Sequence, residues 1–85
     1  MYNYQTEKPY IFTEDGNKIF LKIRDKVHSL LKTSGAFMME NATNGMGGNS
    51  WFQLACVDYL VELGEIREIK TDGAAQHRIF VSRFR

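Results

Sequence analysis

One proline, one cysteine, no long apolar run and no large excess of either charge mark this 85-residue sequence. The single cysteine, Cys56, rules out an intramolecular disulfide framework. No stretch approaches the roughly 18–20 consecutive apolar residues that a membrane helix requires. A net charge of +1 is not that of a polybasic chain. The opening MYNYQTEKPY lacks the basic and apolar regions of a secretion signal, which predicts a cytoplasmic, soluble protein without a membrane partner.

What is present suits one small core. Hydrophobic residues make up 44% and aromatic residues 13%, a composition that favours packing over disorder. A chain this short lies near the size at which burial becomes marginal, and it has little room for a catalytic cleft.

Residues 1–12, MYNYQTEKPYIF, hold Tyr2, Tyr4, Tyr10 and the only proline, and they read as an extended arm or edge strand ahead of a domain spanning 13–85. From Lys18 to Lys32, Ile19, Phe20, Ile23, Val27, Leu30 and Leu31 recur at i, i+3, i+4 spacing, which predicts an amphipathic helix. TEDGN before it offers capping oxygens and acidic groups, and TSG after it offers a C-terminal glycine. Lys18, Lys22 and Lys26, with Arg24 and Lys32 beside them, form a basic stripe opposite the apolar face. Such a stripe is ordinarily a solvated surface, and it is also suited to a phosphate backbone.

The middle, GAFMMENATNGMGGNS, allows a short strand at Phe37, Met38 and Met39 and a turn or two of helix over 39–45. Its glycines oppose anything longer. The Lys-Ser/Thr ending of a nucleotide-binding loop is missing. Asn49 and Ser50 are good N-cap residues, and Phe52, Cys56, Val57, Leu60 and Leu63 predict a second long helix ending at Gly64. EIREIK and HRIFVSRF then read as two antiparallel strands around TDGAAQ, whose Asp-Gly is a turn signal.

Helix, short middle element, helix and hairpin is an α+β order, and CVDYLVELGEIREI resembles the end of the third helix and first wing strand of winged-helix (winged helix-turn-helix) proteins of the small bacterial or phage regulatory type. The residues that carry the resemblance are Cys56 and Val57, Tyr59 and Leu60, Leu63 and Gly64, and Ile66. It covers roughly residues 18–84. The resemblance implies double-stranded DNA as partner, with the third helix in the major groove, the wing on the backbone and a role in transcription regulation. On that pattern Asn49, Ser50 and Gln53 offer hydrogen bonds at the helix start, and Arg67, Lys70, His77 and Arg78 offer wing contacts, chiefly to phosphate.

The helix from Asn49 to Gly64 departs from a routine DNA reader. It contains Asp58 and Glu62 and no Lys or Arg, while its groove-facing positions would be Trp51, Leu54, Ala55 and Asp58. Exposed Trp51 and Leu54 suggest the alternative function, a protein-interaction or homodimerisation surface, unless Tyr4, Tyr10 and Phe12 of the arm fold over that face. The charged hairpin is equally explained as an edge protected against aggregation.

Catalysis, a metal site and a cofactor are not indicated. Cys56 falls at a core position, and His28 and His77 lie on different elements without spaced ligand partners.

Overall fold

The computed structural model describes residues 1–69 and 77–83. The N-terminal segment is helical, not extended. Asn3 accepts from the Thr6 amide at 3.2 Å and caps a single turn, α1 (Tyr4–Glu7), after which Lys8–Phe12 forms a 3-10 helix. Pro9 stands in the first turn of that helix, where its fixed φ suits the backbone and its missing amide leaves no bond unmade. These turns are too short to show periodicity. Their anchor is tertiary: Ile11 is buried in the same core as the long helices.

Helix α2 (Glu14–Ser34) begins ahead of the Lys18 start predicted from apolar spacing, because Thr13 is the cap: its Oγ1 accepts from the Gly16 amide at 3.0 Å. Glu14 and Asp15 then lie in the first turn, at the positive end of the helix dipole. Phe20, Ile23 and Val27 form the buried face. Gly35, at φ 76°, ends the helix by donating its amide to the Leu31 carbonyl.

Strand β1 (Ala36–Met38) and helix α3 (Met39–Thr43) occupy the middle segment, the strand lying one residue ahead of the expected Phe37–Met39 because Met39 opens the helix. Helix α4 (Ser50–Glu62) starts at Asn49, whose side chain accepts from the Phe52 amide at 2.8 Å. It ends in paired closing bonds, Gly64 N–H to the Val61 carbonyl and Glu65 N–H to the Leu60 carbonyl, with Gly64 at φ 80°.

Strands β2 (Ile66–Ile69) and β3 (Ile79–Ser82) follow, and the antiparallel sheet has the order β1-β3-β2. The connecting turn TDGAAQ and Lys70 lie outside the described residues. Phe37 pairs with Phe80 across the central strand, and both side chains face inward with Ile66 to join Ile23, Val27, Met39, Val57 and Leu60. The result is a small α+β domain. Among the described residues, no helix is long and apolar enough to cross a membrane.

Gly16 holds the N-terminal segment against α2. A Cβ there would overlap the Tyr10 carbonyl oxygen and crowd the capping Thr13 hydroxyl. Gly to Ala inside a helix ordinarily stabilises by about 1 kcal/mol. Here we expect Gly16→Ala to reverse that sign and cost about 1–3 kcal/mol, read as a lower urea midpoint. A raised midpoint would show that the segment is not seated on this glycine.

Candidate functional site

Asp58 and Glu62 stand one helical turn apart on α4, and neither carboxylate faces open solvent alone. The N-terminal segment comes to them. The Tyr2 hydroxyl donates to Asp58 Oδ2 at 2.6 Å, and the Tyr4 hydroxyl donates to Glu62 Oε1 at 2.6 Å. Lys8 Nζ lies 2.8 Å from Glu62 Oε2 and 5.7 Å from the centre of the Tyr59 ring. Phe12 meets Tyr59 edge-on with ring centres 5.4 Å apart.

Arg78 reaches Asp58 from the opposite side. Its Nη2 is 2.7 Å from Asp58 Oδ1 and 2.8 Å from Glu68 Oε1, while the guanidinium lies 5.2 Å from the Phe80 ring centre. A single arginine thus ties α4 to both strands of the hairpin. A second clamp joins α2 to the start of β2, with Glu65 3.0 Å from Arg24 Nε and 3.0 Å from His28 Nε2.

These contacts set the protonation of the groups. Burial first, and then hydrogen bonding to Asp58 and Glu62 respectively, push the Tyr2 and Tyr4 phenols well above their ordinary value, so both remain donors. The bond from Arg78 holds Glu68 below the usual carboxylate range, the bond from Arg24 does the same for Glu65, and Lys8, then Tyr4, for Glu62. Arg78 is held above its ordinary value, first by Glu68 and also by Asp58. Burial alone pushes the Cys56 thiol up to about 12, which keeps it an unreactive core group at neutral pH.

The chain matches no family model, no curated protein and no solved structure.

Of the residues singled out in the sequence, Asn49 is engaged as the α4 cap, Ser50 is exposed, and Gln53 donates from Nε2 to the Gly47 carbonyl at 2.7 Å. Arg67 and His77 are exposed, and Lys70 lies outside the described residues. Arg78 is not a free cation, because its N–H groups are bonded to two carboxylates. Trp51 is 45% exposed, in line with the exposure expected of it. Leu54 corrects the expectation. It is buried in the core, as is Ala55, because α4 packs against α1, α2, α3 and the 3-10 helix and has apolar contacts around most of its circumference.

The arm does fold over α4, through Tyr4 and the ring of Phe12 as the aromatic pattern suggested, and through Tyr2 and Lys8 besides. Tyr2, Tyr4 and Lys8 make the polar contacts, whereas Tyr10 and Phe12 remain 57% and 60% exposed. The signal in the sequence was the pair Asp58 and Glu62 on a helix without a cation of its own, which required partners from elsewhere in the chain.

A second feature lay unread in the sequence. Lys26 on α2, Asn41 on α3, Asn44 and Gln53 line one polar depression with Glu40 and Thr43 beside the α3–α4 connection. Among the described residues, no group of three or more His, Cys, Asp or Glu is placed to hold a metal ion.

Arg78→Gln should leave Asp58 and Glu68 short of their charged partner. We expect a loss of about 1–3 kcal/mol in chemical denaturation, with most of the effect absent when Asp58 and Glu68 are already amides. Additive effects would show that the arginine is not coupled to them. Acid provides an independent check. Glu65 and Glu68 have folded-state pKa values below the usual 4.5, so their stabilisation is complete above that value and disappears as pH falls through the lower folded values. The thermal midpoint should therefore drop below pH 4.5, and Glu65→Gln should flatten part of that drop.

Proposed function

We propose that this chain is a winged-helix protein-interaction domain and that its third helix does not read a DNA groove. The order α2, β1, α3, α4, β2, β3 with sheet order β1-β3-β2 supports the winged-helix reading. The observation that carries the functional reading is the occupancy of the groove-facing positions on α4. Leu54 and Ala55 are buried, and Asp58 is held between Tyr2 and Arg78. To present that face to DNA, the chain would have to strip off the N-terminal segment and expose a carboxylate to phosphate, which repels it.

The wing arginine leads to the same conclusion. A phosphate oxygen would have to displace two carboxylates from Arg78, whose side chain is only 20% exposed. Breaking a largely buried pair costs more than a surface phosphate contact returns.

One observation favours a second reading, non-specific binding to a nucleic-acid backbone. Lys22 and Lys26 are exposed on α2 with no acidic partner among the described residues, and Lys26 lines the depression shared by Asn41, Asn44 and Gln53. Two lysines and three amides could hold one or two phosphates, a site too small for tight duplex binding.

Fluorescence anisotropy of labelled random-sequence duplex at low and at physiological salt separates the two. We expect no salt-sensitive binding in the micromolar range. Salt-sensitive binding that Lys22→Glu with Lys26→Glu abolishes would overturn the interaction reading in favour of the backbone one.

A further inference from the structure

Directly paired residues of an antiparallel sheet share a face. Phe37, Phe80 and Glu68 share the inner one, and so do Ile66 and Ser82. The outer face is consequently built of two rows across the strands. Ala36, Val81 and Arg67 form one, and Met38, Ile79 and Ile69 form the other. Five of these six side chains are apolar, and none of the six is buried. Ile69 is 40% exposed.

We propose that this outer sheet face is a homodimer interface, closed by the same face of a second copy about a two-fold axis running along β3. The proposal rests on the protein-interaction reading above and names the partner. The residue pattern chooses both the occupant and the axis. Rotation about an axis parallel to β3 exchanges the two edge strands and keeps each row on itself. Val81 then meets Val81, Ile79 meets Ile79, Ile69 lies on Met38, and the long stem of Arg67 covers Ala36 of the second copy.

The one bulky polar side chain is thereby laid over the smallest residue, with its charged end carried past the strand edge into water, as arginine stems commonly allow. An axis across the strands would instead place row on row in reverse and bring Arg67 against Ile69. The face is self-complementary in one orientation only, which is the requirement for an isologous two-fold contact. Sheets packed face to face in this way lie about 10 Å apart, with strands inclined by about 30°.

A face of six residues per copy buries less than the roughly 1,600 Å² of a standard interface, so the dimer belongs to the weak, transient class and is sought at chain concentrations from about 1 μM to about 1 mM. Sedimentation equilibrium across that range, on the full chain, is the test. We expect the wild-type chain to pass from monomer to dimer. Val81→Glu places two carboxylates on the axis and should raise the dissociation constant at least about 100-fold. Val81→Lys should do the same.

An equimolar mixture of the two variants should recover the dimer, because opposite charges then meet on the axis. Recovery cannot arise from misfolded variants. A wild-type chain that stays monomeric throughout, a dimer untouched by Val81→Glu but lost in Trp51→Ala, or a mixture that remains monomeric would each overturn the proposal. These outcomes are distinct from salt-sensitive DNA binding in the anisotropy experiment, which overturns the parent reading whatever the oligomeric state.

Discussion

Helix α4 buries Phe52, Leu54, Ala55, Cys56, Val57 and Leu60 within 13 residues, and a helix apolar over so much of its circumference has to be enclosed. Helices α2 and α3 supply part of the enclosure, and β2 meets it where the chain turns back. The N-terminal turns close the remainder, with Ile11 driven into the core and Tyr2, Tyr4 and Lys8 meeting the helix's two carboxylates. A domain of this size has few apolar residues to spare. Its first twelve residues are therefore part of the packed structure, and the glycine at position 16 exists in that form because the backbone of Tyr10 lies against it.

Enclosing α4 places Asp58 at a partly buried surface, where an unpaired charge is costly, while Glu62 stays exposed. Each carboxylate takes one tyrosine hydroxyl and one cation, Tyr2 and Arg78 on Asp58 and Tyr4 and Lys8 on Glu62, and Arg78 also bridges α4 to the hairpin. That arrangement has a functional consequence. Under the proposed winged-helix reading, Arg78 and α4 are the groups that would touch DNA, and Arg78 and Asp58 of α4 are engaged by the protein itself.

Among the described residues, the outer side of the sheet is an apolar surface left partly open, most of all at Ile69. Its apolar rows follow from the strand period of two: Phe37, Phe80 and Ile66 must point inward, so Ala36, Met38, Ile79, Val81 and Ile69 point outward. Polar residues at those positions would have served a purely solvated face better. Their apolar character, with one arginine set opposite a small residue under two-fold rotation, is the feature on which the proposed association with a second copy rests. The basic residues left free on α2 form a separate and smaller feature, on a helix face that does not border these rows in sequence or in strand register.

Much of the fold was legible in the sequence. The spacing of Phe20, Ile23 and Val27, the cap at Asn49, the stop at Gly64 and the strand pattern around Phe80 each depend on residues within a turn or two of one another, and local periodicity and capping chemistry report them directly. The helical N-terminus, the burial of Leu54 and the engagement of Arg78 were decided by tertiary structure. Tyr4 and Glu62 are 58 positions apart and Arg78 and Asp58 are 20 apart, so no local pattern encodes their meeting. The chain alone determined which faces are apolar and where helices stop. Which faces are covered depended on how those elements pack, because burial and ion pairing belong to surfaces that come together only in the folded molecule.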